Sequence, residues 1–533
     1  MRFASSRRFV ASPSGSPSAP QPRRSLVVGA QPKTTSSLAV GAQPKTTSSL
    51  TVGALLALLL AIGMALPPGA FATADDEARP ALADEINQII KDGKAANAFW
   101  GVQVRALDTG EVLYEHNPQQ AFLPASNMKL LTSATALDAL GPEHRYQTTL
   151  YFDGEIDGSV MRGDLILKGT GDPTFGSSEM ADTGDPLGRW AQALAKMGVT
   201  RIEGRLIGDD DALSDRFYSE GWDVDYITRQ SSRLIGVSVG GLAYRDNLIR
   251  VNLQAGEDGA PPQVTTAPAG YLDVVNRATT SERERGRAFD IRRSFGDEEI
   301  TLTGSVPSTY SGTLHMPISN PTRFALQSFQ ADLRQAGIGV NNLKAADIDH
   351  LGEKPSTEGA RVLFRHFSPT LAKILRVVNK ESNNFYADQI FRSISDSGTA
   401  NASERRVKKL LEKAGAATNA ISIRDGSGLS RKDLVTPAAI TKLLDFMTSR
   451  PASESFEASL ARGGEPQTTL QYRLKGQPVR AKTGSLEFAR ALSGYTTLPG
   501  GRRVAFALLV NNYAVASYQV TQTFDRVVRA MTS

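Results

Sequence analysis

The 533-residue chain contains no cysteine. That absence excludes disulfides, thiolate nucleophiles, iron–sulfur clusters, thiolate zinc sites and lipid attachment through an N-terminal cysteine. Histidine is nearly as scarce: His116, His144, His315, His350 and His366 are widely spread, and no H-E-x-x-H occurs. This argues against a zinc hydrolase, and neither a metal site nor a cofactor is expected. The first 74 residues lack acid altogether, and their apolar stretch, Val52 to Leu66, is short of the roughly 20 residues that span a bilayer comfortably.

What the leader does contain is seven basic residues (Arg2, Arg7, Arg8, Arg23, Arg24, Lys33, Lys45), then the apolar stretch, then "AFATA" before Asp75. Basic region, apolar region and small-residue site in that order read as a secretory signal over 1–74, cleaved after Ala74, with an uncleaved membrane anchor as the alternative. "VGAQPKTTSSL" stands twice, at 28–38 and 40–50, a duplication or an early start codon rather than a solenoid. The twin arginines hint weakly at twin-arginine export. The chain's charge of +5 becomes −2 once the leader's +7 is removed, so its basicity says little about nucleic acid, and no nucleic-acid partner is expected.

The length predicts more than one domain, and 40% apolar with 22% charged residues is ordinary globular material. "ALADEINQIIKDG" reads as an amphipathic helix, and "AFWGVQVRALDTGEVLYEHNP" as a hairpin turning at Asp108-Thr109-Gly110. From about Tyr146 to Glu353 the texture is short alternating strands with Gly/Asp turns. Helices return at "SPTLAKILRVVNKESNNFYADQIFRSI", and "VRAKTGSLEFARALSGYTTLPGGRRVAFALLVNN" reads as three strands before a terminal helix. A helix–sheet domain made of 75–145 and 354–533 is thus interrupted by a β-rich insertion, 146–353.

"PASNMKLLTSATALDALG" places Ser126 and Lys129 three residues apart on one face at a helix start, with Leu130, Ala134, Leu137 and Leu140 as its apolar stripe and Gly141 as its stop. Alone, S-x-x-K is an ordinary polar turn. Two further motifs follow in order: Ser382-Asn383-Asn384 and Lys482-Thr483-Gly484. The set S-x-x-K, S-x-N, K-T-G is the signature of serine penicillin-binding enzymes and β-lactamases.

The chemistry suits these residue types. A serine hydroxyl needs a base, and Lys129 serves if burial and the charge of Lys482 lower its pKa. The helix start favours negative charge developing at Ser126. Ser382 relays a proton to the leaving amine, and Asn384 holds Lys129 and the substrate amide, the bland alternative for both being a helix cap. Lys482 pairs with a terminal carboxylate, Thr483 adjoins it, and Gly484 leaves the strand bare for a peptide. The backbone N–H groups of Ser126 and Ser485 form an oxyanion hole.

The separation of 256 positions from Ser126 to Ser382 exceeds the spacing of a class A β-lactamase. With "NKESNNFYADQIFR" and "DGSGLSR", the mature chain resembles the peptidase S13 family, class C low-molecular-mass penicillin-binding proteins that are D-alanyl-D-alanine carboxypeptidase/endopeptidases. The resemblance implies an α/β (α+β) fold, a β-lactamase/transpeptidase-like domain whose insertion forms two domains, one nested in the other. It implies peptidoglycan stem peptides and β-lactams as partners, an exported or periplasmic location, and leaves peripheral membrane association and a homodimer open. It also places Asp225, in "GWDVD", near the substrate side chain, and sets Arg431 toward a side-chain carboxylate. Where relatives that read a diaminopimelate side chain carry glutamine, this chain has Glu487, which either contacts substrate, pairs with Arg431 or lies solvated. A serine β-lactamase and a non-catalytic peptidoglycan-binding scaffold are the competing readings.

Overall fold

The computed structural model describes residues 74–180, 184–229, 235–284 and 286–533. The leader, its repeats and its arginine pairs lie outside the described residues, and the expected cleavage point falls at their edge. Among the described residues no helix is long and apolar enough to cross a membrane.

Helix α1 (Ala74–Lys91) leads into strands β1 (Phe99–Ala106) and β2 (Val112–His116), the expected hairpin. After α2 (Met128–Leu140) the chain leaves this domain, re-enters its core with the short helix Leu371–Arg376, and continues with α3 (Asn384–Ser393) and α4 (Pro437–Thr448). Strands β3 (Ala461–Arg462), β4 (Arg480–Leu486), β5 (Ala489–Thr497) and β6 (Arg503–Asn511) precede the last helix, α5 (Ser517–Thr532). They form one antiparallel sheet in the order β3-β4-β5-β6-β1-β2.

Strand β6 shows why both faces are covered. Val504, Phe506, Leu508 and Val510 point into a core with Ile86 of α1 and Phe524 and Val528 of α5. The alternate residues Ala505, Ala507 and Leu509 face a second core with Leu130 of α2, Phe385 of α3 and Ile440 of α4. Period two along a strand thus places helices on both sides of the sheet.

Helix α2 departs from its expected one-sided stripe. It is buried on every side from Met128 to Leu137, because helices surround it, while Leu140 is only partly covered. Two of its buried hydroxyls donate to backbone carbonyls, Thr132 to the distant Gly426 at 2.8 Å and Thr135 to Leu131, one turn back, at 2.8 Å. Gly141, at φ 82°, ends it by donating its N–H to the Leu137 carbonyl.

The intervening segment builds a five-stranded mixed sheet from Gln147–Asp157, Val160–Lys168, Arg201–Asp209, Leu343–Asp347 and Arg361–Phe367. Arg361–Phe367 pairs antiparallel with Gln147–Asp157, so strand pairing carries this sheet past residue 353, where the turn-rich sequence texture gives way. Residues 248–317, between the sheet's third and fourth strands in sequence, form two smaller sheets. The seam with the first domain runs along α3. The Gln389 amide accepts from Gly240 N–H at 2.8 Å and donates to the Gly240 carbonyl at 3.0 Å, and the buried Arg392 reaches the Arg216 carbonyl at 2.9 Å.

Candidate active site

Ser126 sits in a tight 3₁₀ turn, Ala125–Asn127, that runs straight into α2. The segment before it is pinned: Phe122 and Val435 exchange backbone hydrogen bonds, and Leu123 N–H reaches the Asn511 side chain at 2.8 Å. Ala125 is fully buried with φ at 47°, a backbone region that costs a non-glycine residue energy unless its surroundings hold it. Two glycines do so. A Cβ on Gly428 would lie 1.8 Å from the Ala125 carbonyl oxygen, and one on Gly484 would lie 2.8 Å from that of Pro124. The bareness of Gly484 therefore serves close packing of strand β4 against the Ser126 turn.

Lys129, one turn on, is fully buried. Its Nζ lies 3.0 Å from Ser126 Oγ, 2.7 Å from Asn384 Oδ1 and 2.8 Å from the Ser427 carbonyl oxygen. Burial lowers its pKa to about 8, against the opposing pull of the Asp388 and Asp425 carboxylates. Lys482, also fully buried, is depressed well below the ordinary lysine value by burial and by the charge of Lys129. The repulsion expected to act on Lys129 thus tells on Lys482. The Lys482 ammonium donates to Ser382 Oγ at 2.9 Å and to the Thr483 carbonyl at 2.9 Å.

Ser382 ends a π-helical turn, Val377–Glu381, in the left-handed region at φ 66°, ψ 40°. Capping of α3 falls to neither Ser382 nor Asn384. The middle residue, Asn383, accepts the Tyr386 N–H at 2.9 Å, and the side chains on either side of it meet the two lysines. Thr483 is half-buried and Ser485 exposed, and both border one groove with Ser382.

Arg431 and Glu487 come together at another edge. Arg431 Nη1 donates to the Glu487 backbone oxygen at 2.8 Å, and Nη2 lies 3.5 Å from the Glu487 carboxylate. Asp225 stands apart, paired with Arg229 at 3.1 Å on a short helix, Val224–Thr228. Its neighbours Trp222 and Tyr226 are the ones that pack on Ala125, Leu429 and Leu486.

The sequence reading missed the support beneath Lys129. Asp425 accepts from Gly428 N–H at 2.6 Å, Ser430 N–H at 2.7 Å and Trp222 Nε1 at 2.6 Å, and Asp388 accepts from Gly426 N–H at 2.8 Å. Together they aim the Ser427 carbonyl at Lys129. Burial and the Asp425 charge push the Asp388 carboxyl well above its ordinary range. The acid–glycine pattern of "DGSGLSR" was the available signal. The described residues that could gather a cation are Asp210, Asp211 and Asp349 in the insertion, and none belongs to the Ser126 contacts.

The interrupted helix–sheet domain thus gathers, around one turn, a serine, two lysines and an asparagine from the S-x-x-K, S-x-N and K-T-G motifs that mark penicillin-binding enzymes and β-lactamases. The chain belongs to the D-Ala-D-Ala carboxypeptidase 3 (S13) family, whose pattern matches residues 82–531. It is 31% identical, over 81% of each chain, to a D-alanyl-D-alanine carboxypeptidase from Actinomadura sp. strain R39. Its fold is similar to that of penicillin binding protein 4 (dacB) from Haemophilus influenzae, with a TM-score of 0.68, 22% identity, and 84% of this chain and 97% of that one covered. A structure of the same H. influenzae protein complexed with a β-lactam matches with a TM-score of 0.66 at 22% identity, covering 85% and 99% of the two chains.

Proposed function

We propose that this D-Ala-D-Ala carboxypeptidase works through an ester on Ser126, that it also cleaves cross-links as an endopeptidase, and that β-lactams acylate the same oxygen. The observation that carries the reading is the buried Lys129 ammonium shared among Ser126, Asn384 and the Ser427 carbonyl, with its pKa brought down to about 8. About a tenth of such a group is neutral at pH 7. The neutral amine takes the Ser126 proton as Oγ attacks the carbonyl of the penultimate D-alanine. The N–H groups of Ser126 and Ser485 stabilise the oxyanion. As the C–N bond breaks, Ser382 passes a proton to the departing amine, with Lys482 behind it. Lys482 and Thr483 receive the terminal carboxylate, whose charge restores the ammonium that burial disfavours. Water then hydrolyses the ester, with Lys129 again as base.

The acidless basic leader supports export, and peptidoglycan lies outside the cytoplasm. Labelling of purified protein with a fluorescent penicillin, followed by intact-mass analysis, tests the reading. One adduct per chain, absent in Ser126→Ala, is expected. An adduct that survives Ser126→Ala overturns it.

A further inference from the structure

A groove at the site is larger than a single D-alanine needs. It has a volume of about 740 Å³ and begins at Ser382, Thr483 and Ser485. From there it runs between two walls. One is the 467–473 segment of the first domain, with Gln467 and Tyr472, and the other comes from the insertion, with Glu179 and His315. Cavities of roughly 300–1,000 Å³ hold ligands of drug size, several times one alanine.

Direction assigns the groove to one half of the substrate. Ser382 and Thr483 are the groups that meet the departing nitrogen and the carboxylate beside it in the reading above. The residues at the other edge, Arg431, Glu487, Trp222 and Tyr226, do not line it. What enters must therefore be attached to the leaving amine. The walls fit a peptide: Gln467, Gln471 and Tyr472 are exposed amide and hydroxyl side chains, Tyr472 being 91% accessible. Arg473 is held by Asp525 at 2.7 Å, while the carboxylates of Glu179 and Glu381 offer acceptors to peptide N–H groups.

We propose that this groove is the binding site for the leaving strand of a cross-linked peptidoglycan dimer, and that the insertion supplies one wall of it. The inference rests on the acyl-enzyme reading. In the step it serves, the bond from Ser126 Oγ to the D-alanyl carbonyl forms as the amide C–N bond to the neighbouring stem breaks. That stem's amine leaves with the proton passed through Ser382, and water later cleaves the ester. The insertion, which carries no catalytic motif, thereby selects a peptide leaving group over free D-alanine.

The test compares kcat/KM for a pentapeptide, which releases D-alanine, with that for a cross-linked dimer, which releases a stem peptide. Wild type, His315→Ala, and Gln467→Ala with Tyr472→Ala are measured on both, with the penicillin acylation rate recorded alongside. All three substituted residues are exposed, so the fold tolerates the changes. The dimer-to-pentapeptide ratio is expected to fall about tenfold, the scale of one or two lost hydrogen bonds. An unchanged ratio in proteins that still acylate with penicillin overturns the groove assignment alone. Wild-type protein that neither acylates nor cleaves either peptide overturns the acyl-enzyme reading, and the groove with it.

Discussion

Asn127 donates its side-chain N–H to the Lys482 backbone carbonyl at 2.9 Å, tying the Ser126 turn to a strand 355 residues away. Two motifs distant in sequence are thus held by one buried hydrogen bond, and Gly484 lets the backbones approach closely enough to make it. Gly484→Ala would set a methyl 2.8 Å from the Pro124 carbonyl oxygen and 2.9 Å from the Ala491 Cβ, backbone and core with little room to yield. The turn must move, and a displacement of about 1 Å at a reacting group costs about a hundredfold in rate. Penicillin acylation should slow by that order, measured by stopped reaction and mass. An unaltered rate would separate the glycine from Ser126.

In the proposed role of base, Lys129 must be neutral, and its pKa is lowered to about 8. The sign is direct: below that pH the ammonium dominates and acylation is slow, and the rate rises with pH until the amine is free. The penicillin acylation rate should therefore climb about tenfold per pH unit below 7 and level above about 8. A profile flat between pH 6 and 9 would exclude Lys129 as the base.

Adjacent asparagines divide structure from chemistry. Asn383 caps α3, so Asn383→Ala should cost about 1 kcal/mol of stability, read from the urea midpoint. Asn384 instead touches Lys129 at 2.7 Å, and Asn384→Ala should slow acylation about a hundredfold with little change in the midpoint. The reverse pattern would exchange their roles.

The three motifs, the hairpin and the terminal strands were legible because each is local: a period, a turn residue, a spacing. The support for Lys129 was legible only in part: Asp425 takes N–H groups of its own D-G-S-G-L-S loop, but Asp388 reaches Gly426 through the packing of α3, and Trp222 reaches Asp425 from the insertion, 203 residues away. The burial of α2 on all sides was hidden for the same reason. A helix ringed by other helices keeps hydroxyls such as Thr135, which bonds back to the Leu131 carbonyl of its own helix, and Thr132, whose partner, the Gly426 carbonyl, appears only in three dimensions. Asp225 illustrates the converse. Its loop reaches the site, but through Trp222 and Tyr226, while the acid satisfies Arg229.

Arg431 and Glu487 bring specificity to the same question. The stronger of their contacts, 2.8 Å, uses the Glu487 backbone oxygen and would survive any side-chain change there. The carboxylate itself is 3.5 Å from the guanidinium and 68% exposed, a pairing of the surface kind that contributes about 0–1 kcal/mol. It therefore leaves Glu487 open to a cation, and if Glu487 contacts substrate its carboxylate favours a free side-chain ammonium on the diamino acid over its N-acetyl form. A charged hydrogen bond contributes about 1–2 kcal/mol, which is roughly a 5- to 30-fold preference. The measurement is kcat/KM for both peptides in wild type and Glu487→Gln. Wild type should prefer the free amine by that factor, and Glu487→Gln, which keeps the Arg431 anchor and loses only the charge, should lose most of the preference. Equal ratios in the two proteins would remove Glu487 from the specificity site and leave it as a solvated end of β4.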